Sequence, residues 1–198
     1  KLFNFDRSFI QKNMSPRTSD QLLQLRESKK LLILQAGLKV FSVNGFKGAT
    51  ISMIAKEAKI AKGLLYSYYK SKDDLLEELI VFGLNKAISF LDKIPGGVPT
   101  SKKTFAIGVR AMADLFLKES DFWRLYSLVL LQTNMAERFQ EHIKDFLGQY
   151  LQAYTVYFQN KGSSNPLDEA MLFVAMLDGL MFDLLVSPEH YPMENVIG

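Results

Sequence analysis

Apolar residues recur along this chain at three- and four-residue intervals, and no stretch alternates apolar with polar long enough to make a strand. That rhythm predicts an all-α protein, with helices over 18–44, 51–58, 62–68, 71–93, 102–118, 121–133, 135–160 and 167–187. In the first, Ile33, Leu34, Gly37, Val40 and Phe41 fall within about 120° at about 100° per residue, which makes a buried stripe. Asn44-Gly45 ends it, with Gly45 suited to a left-handed cap. Thr50 is a good N-cap, and Ile51, Ile54, Ala55 and Ala58 form the inner face of the next helix. Lys59-Ile60-Ala61 is a tight corner, with Ile60 as its plug into the core. Leu65 then faces inward, and Tyr69 closes the turn. Ser71, three residues before Asp74, caps the fourth helix. Pro95-Gly96-Gly97-Val98-Pro99 is the clearest breaker in the chain. Phe139, Ile143, Phe146, Leu147, Tyr150, Tyr154 and Tyr157 stripe the 135–160 segment. Ala170–Leu177 is apolar on every side, a pattern expected of a helix that meets a second subunit.

Composition narrows the class. With 198 residues and 48% hydrophobic content, the chain can bury a core and is not disordered. No apolar run approaches the ~18 residues of a membrane span, so no membrane association is expected. Cysteine is absent, which removes disulfides and thiolate zinc sites and fits a reducing cytoplasm. No n-region and h-region open the chain, so no secretory signal is expected. Met14-Ser15-Pro16-Arg17 reads as a natural start, leaving residues 1–13 upstream of it.

Charge then divides the chain. Residues 1–72 hold 14 Lys/Arg against 4 Asp/Glu, whereas residues 73–198 hold 10 against 17. A basic end for a polyanion and an acidic body that stays off it is the expected arrangement. The organisation that follows is an N-terminal arm over 1–17, a compact helical domain over 18–72 and a larger helical domain over 73–198.

The chemistry concentrates between Thr50 and Asp73. Lys56, Lys59, Lys62, Lys70 and Lys72 surround the corner, with Tyr66, Tyr68 and Tyr69 between them, as a phosphate backbone would select. Tyr69 reads as core. Tyr66 and Tyr68 read as outward, because Leu65 and Tyr69 already fill the inner positions. Lys56 and Lys59 read as solvated charges. Arg17, Arg26, Lys29 and Lys30 suit either a backbone-tracking face or a solvated one. Catalytic patterns are missing. The two histidines, His142 and His190, have no ligand-spaced partner, and no glycine-rich loop follows a strand. No enzyme activity, metal or cofactor is expected.

In order and spacing, residues 30–76 resemble the N-terminal domain of the TetR family of tetracycline-repressor-like regulators. The likeness rests on Ile33 to Phe41, Gly45-Phe46, Ala49-Thr50-Ile51, Ile54-Ala55, Lys62 to Tyr69 and Ser71 to Leu76. Leu177-Asp178-Gly179-Leu180 is similar to a recurrent feature of the family's C-terminal domain. Two positions depart from the pattern. Lys59 stands where the family commonly has Gly, and Ala61 where Ser commonly caps the recognition helix.

The resemblance implies an N-terminal three-helix helix-turn-helix domain plus a C-terminal helical ligand-binding and dimerisation domain. It implies DNA contacts by Thr50, Lys62, Gly63, Leu64, Tyr66, Ser67, Tyr68 and Lys72. Lys62, Leu64 and Ser67 would read bases, Gly63 would let the backbone approach their edges, and Thr50, Tyr66, Tyr68 and Lys72 would hold phosphates. The partners it implies are a double-stranded DNA operator, a small-molecule effector and a second copy in a homodimer. Among the large apolar groups of the body, Phe82, Phe105, Met112, Phe116, Trp123, Tyr126, Tyr150, Tyr154 and Met176 are the candidates for lining an effector pocket, with an ordinary core as the alternative for each. Phe146, Phe173, Leu177 and Leu180 are the candidate dimer contacts. Asp178, in a nearly charge-free helix, is expected to meet a ligand cation, a symmetry mate or water. A second reading, a homodimer of this fold that does not bind DNA, is opposed by the intact Lys62–Lys72 segment.

Overall fold

The computed structural model describes residues 19–132 and 135–187. The arm over 1–17, the helix start at Thr18 and His190 lie outside the described residues. The described residues form helices and no strand: α1 (Ser19–Gly48), α2 (Ile51–Glu57), α3 (Lys62–Tyr66), α4 (Lys72–Ile88), α5 (Lys102–Lys118), α6 (Ser120–Gln132), α7 (Met135–Arg138), α8 (Gln140–Asn160) and α9 (Pro166–Val186). Short 3-10 turns over Ser89–Lys93 and Pro95–Gly97 link α4 to α5.

The helix starts follow local chemistry. The side chain of Thr50 accepts a hydrogen bond from the Met53 amide, and that of Ser71 from the Asp74 amide. Ser101 and Thr104 form a reciprocal capping box at α5. Pro166 opens α9, where its missing N–H costs nothing. Gly45, with φ of 66°, breaks α1 as its sequence position suggests, and one further turn follows it.

Two expected helices come out differently. The α4 segment does not stay α-helical to Lys93. Beyond Ile88 it tightens to a 3-10 turn that carries Phe90, and then Ile94, into the interior. The 135–160 segment is broken at Phe139, whose φ of −124° and ψ of 24° are non-helical. That break lets the Phe139 ring enter a core that a continuous helix would carry it past.

The interior has two hydrophobic clusters. The first joins Ile33 and Phe41 of α1, Ile54 of α2, Leu65 of α3, Leu75 to Ile80 of α4, and Trp123, Tyr126 and Val129 of α6. The second joins Phe90, Met112, Tyr150, Tyr154, Val174 and Met181. Phe116 and the α4 segment touch both. The small helices α2 and α3 are thus seated on the same core that holds α6, at the head of the longer bundle.

Candidate nucleic-acid interface

The corner between α2 and α3 is built by short-range hydrogen bonds. The amide of Ile60 donates to the Ala55 carbonyl at 3.0 Å, and those of Leu64 and Leu65 donate to Ala61. Lys59 bends the chain with φ of +54°, a left-handed conformation that glycine adopts without the penalty a Cβ brings. Ala61 starts α3 with no side-chain cap. Both features fall at the two positions where the sequence departs from the family pattern. The turn geometry is kept, at the expense of a strained residue and a missing cap.

Around this corner the side chains separate into two sets. Ile54, Ala55, Leu65 and Tyr69 are buried, and Ile60 packs on the same core. Burial, with Glu78 and Glu27 nearby, raises the Tyr69 phenol above its ordinary pKa, as suits a core tyrosine. Lys62, Gly63, Leu64, Tyr66 and Ser67 point outward together, with Leu64 41% and Tyr66 47% exposed. The Lys62 ammonium stands 5.9 Å from the Tyr66 ring centroid. A Cβ at Gly63 would meet nothing within 4 Å, so the backbone there is open to whatever approaches. The Ser67 hydroxyl donates to the Leu64 carbonyl at 2.7 Å. Tyr68 is half-buried, packed against the first cluster with its ring below the Arg26 guanidinium. Lys56, Lys59 and Lys70 are exposed around the rim.

Lys72, expected to grip a phosphate, is bonded to backbone in the free chain. Its ammonium donates to the carbonyls of Phe46 at 2.7 Å, Ala49 at 3.1 Å and Lys47 at 3.4 Å, and lies 4.5 Å from the Phe46 ring centroid. The end of α1 leaves carbonyls without helical partners, and the cation satisfies them. Lys72 therefore fastens α4 to the loop that carries Thr50.

A short helix pair joined by a tight left-handed corner, with a cationic outer face, is a helix-turn-helix. Residues 33–79, those that build it, match the bacterial regulatory proteins of the tetR family. That segment is a TetR-family DNA-binding domain by sequence.

Relatives extend the likeness beyond the corner. The fatty acid metabolism regulator protein of Bacillus subtilis is 26% identical over 129 residues, or 65% of this chain and 66% of that protein. The chain spans at most about two thirds of the first curated relatives it matches. In three dimensions, a transcriptional regulator from Pseudomonas aeruginosa PAO1 superposes with a TM-score of 0.74 at 18% identity, covering 87% of this chain and 86% of that one. FadR from Bacillus subtilis, solved in complex with stearoyl-CoA, superposes with a TM-score of 0.58 at 23% identity, covering 83% and 88%. At these identities the superpositions speak for the fold.

Within this TetR-family fold, the nine residues expected around an effector do not converge on one cavity. Trp123 and Tyr126 are core residues of the cluster that seats the helix-turn-helix. Their polar ends are spent on backbone: the Trp123 indole donates to the Leu115 carbonyl at 3.2 Å, and the Tyr126 hydroxyl to Ile80 at 2.8 Å. Phe116 stacks on Trp123, and Phe82 meets Phe122 edge-on. Met176 lies on the outer face of α9, 65% exposed, because its side of the helix faces away from α8. The remaining four, Phe105, Met112, Tyr150 and Tyr154, do share one layer in the second cluster. Phe105 touches Tyr154, Tyr157 and Phe173, and the Tyr150 hydroxyl donates to the Met112 sulfur at 3.4 Å. The Tyr154 hydroxyl, fully buried in that layer, has no hydrogen-bond partner among the described residues.

The four candidate dimer residues lie inward to different degrees. Leu177 is 4% exposed and belongs to its own subunit's core. Phe173, Leu180 and Phe146 are half-buried against that core. The outward side of α9 instead carries Leu167, Met171, Leu172, Met176, Phe182 and Val186. Asp178 meets Tyr150 of its own subunit. Partial burial raises its carboxyl above the usual range, and the neighbouring Tyr150 hydroxyl partly offsets the rise.

One long-range contact beside the corner escaped the sequence. Arg138 pairs with Asp73, and its guanidinium lies 4.8 Å from the centroid of the Phe46 ring that Lys72 also approaches. The partners lie 65 positions apart, so no local pattern could have shown it. Among the described residues no cluster of three or more His, Asp or Glu could hold a metal, and no helix is long and apolar enough to cross a membrane.

Proposed function

We propose that this protein is a cytoplasmic DNA-binding transcriptional regulator that works as a homodimer on a two-fold related pair of half-sites. The observation that carries this reading is the outward set Lys62, Gly63, Leu64, Tyr66 and Ser67 on a TetR-family helix-turn-helix. Thr50, at the start of α2, and Tyr68 flank that set. Leu64 suits a thymine methyl, Lys62 suits a guanine edge, and the tyrosine hydroxyls suit phosphates. Lys72 acts indirectly, by fixing the loop before Thr50.

Dimerisation is supported by the apolar outer face of α9, which α8 leaves uncovered. A four-helix interface of α8 and α9 with their symmetry mates buries it. Regulation is repression released by an effector with a long apolar chain, the class of the stearoyl-CoA that Bacillus subtilis FadR binds. The aromatic layer of Phe105, Tyr150 and Tyr154 supports that class, since the unpartnered Tyr154 hydroxyl supplies a donor for a carbonyl oxygen inside an apolar interior. No catalytic step is involved.

The test is fluorescence polarisation on duplex recovered by selection from a random pool, with and without stearoyl-CoA. Lys62→Ala and Tyr66→Phe should weaken binding about tenfold or more with the melting temperature unchanged. Parent-like binding by both variants refutes the reading face. A parent that selects no duplex leaves a homodimer that does not bind DNA. Stearoyl-CoA that shifts the melting temperature without releasing DNA refutes the switch.

A further inference from the structure

The family match starts at residue 33, yet α1 begins at Ser19. The extra 14 residues add about 21 Å of helix at about 1.5 Å per residue. One face of this extension carries Leu22, Leu25, Arg26 and Lys29, at three- and four-residue spacing. That face and the recognition helix form the two walls of a groove of about 400 Å³, whose other wall is Leu64, Ser67 and Tyr68. The Arg26 guanidinium lies 5.9 Å from the Tyr68 ring centroid. Lys30, one residue on, points elsewhere: its ammonium pairs with Glu78 of α4 at 2.6 Å.

The groove has an apolar floor and two cations, Arg26 and Lys29, and it is continuous with the outward face of α3. A sugar–phosphate strand has matching chemistry, with apolar deoxyribose faces between regularly spaced anions. Phosphate contacts of this kind come mainly from Arg and Lys. We propose that the N-terminal extension of α1 is a second DNA-contacting element, in which Arg26 and Lys29 hold the phosphates flanking the bases read by α3, and Leu22 and Leu25 pack on the intervening sugars. The proposal rests on the DNA-binding reading of α3 and adds a part of the chain outside the family match. Arg26 and Lys29 act as positioning residues: they add affinity and fix register without choosing sequence.

The test compares the full-length Arg26→Ala/Lys29→Ala variant with Lys30→Ala and the parent, on the selected duplex across a salt series. The double variant should lose about tenfold or more in affinity, and the slope of log K against log salt should flatten by about 1.8 per subunit, or about 0.9 for each lost phosphate contact. Its sequence preference and melting temperature should match the parent's. Lys30→Ala should keep the parent's slope. An unchanged slope in the double variant overturns the proposal while leaving the α3 reading intact. Equal flattening by Lys30→Ala also overturns it, since diffuse charge and not this groove would then be responsible. A parent that binds no duplex overturns both.

Discussion

The ring of Tyr126 lies on the backbone of Gly83. A Cβ at Gly83 would stand 2.1 Å from both Cε2 and Cζ of that ring and 2.6 Å from its hydroxyl oxygen. Glycine is therefore what allows α6 to come close enough for the Tyr126 hydroxyl to reach the Ile80 carbonyl. This contact joins the helix that leads out of the helix-turn-helix to the body of the protein.

Gly83→Ala should accordingly destabilise the fold, although alanine favours helix. The clash with a buried ring outweighs the ~1 kcal/mol propensity gain, for a net loss of about 2 kcal/mol. Thermal unfolding should show a fall of roughly 4–8 °C. A variant as stable as the parent would mean that the ring can move aside.

Lys72 and Lys62 should separate stability from binding. Lys72→Ala leaves the carbonyls of Phe46 and Ala49 without their cation and should cost about 1–2 kcal/mol. Because it frees the loop before Thr50, it should also weaken DNA binding. Lys62→Ala, whose ammonium has only the Tyr66 ring beside it, should leave urea unfolding unchanged. Equal stability of the two variants would refute the inward role of Lys72.

The corner should be improvable at both of its irregular positions. Lys59→Gly removes the left-handed penalty of about 1–2 kcal/mol, against a higher unfolded-state entropy of about 0.5–1 kcal/mol. The net effect is a gain of up to about 1.5 kcal/mol. Ala61→Ser supplies the missing cap and should add about 0.5–2 kcal/mol. Combining them and measuring denaturant midpoints checks both.

On α9, Leu172→Glu with Met176→Glu should yield a monomer with unchanged helicity. Both residues are about two-thirds exposed in the single subunit, at 66% and 65%, so their replacement does not touch its core. Analytical ultracentrifugation at micromolar concentration gives the answer. A dimer that survives the double change would place the interface elsewhere.

How much was legible depended on the range of the interaction. The inner set of the corner and the break at Gly45 follow from neighbours a few residues away, and the irregular Lys59 and Ala61 from the family pattern they depart from. Tyr69 as core and Tyr66 as outward also follow, because helical spacing fixes which side each one takes. The inward bonds of Lys72 were hidden for the opposite reason: a lysine at a helix start looks free until the end of α1 arrives from 26 positions away. The core packing of Trp123 and Tyr126 was hidden likewise, since bulky aromatics with polar ends suit a pocket as well as a core. What decided between the two was the Ile80 carbonyl, 46 positions from Tyr126.

The sequence by itself determined the all-α class, the place of the short helices and their tight corner, and which side of α3 faces out, because periodicity and capping are local and need no partner; that the pair is a helix-turn-helix came from the resemblance to the TetR family. Only the tertiary structure decided which cations are spent inside the protein, where α7 and α8 part so that Phe139 can enter the core, and which side of α9 stays bare. Those outcomes depend on which helix faces meet. That is set by the summed fit of side chains distant in sequence, and Gly83 beneath Tyr126 is the plainest case.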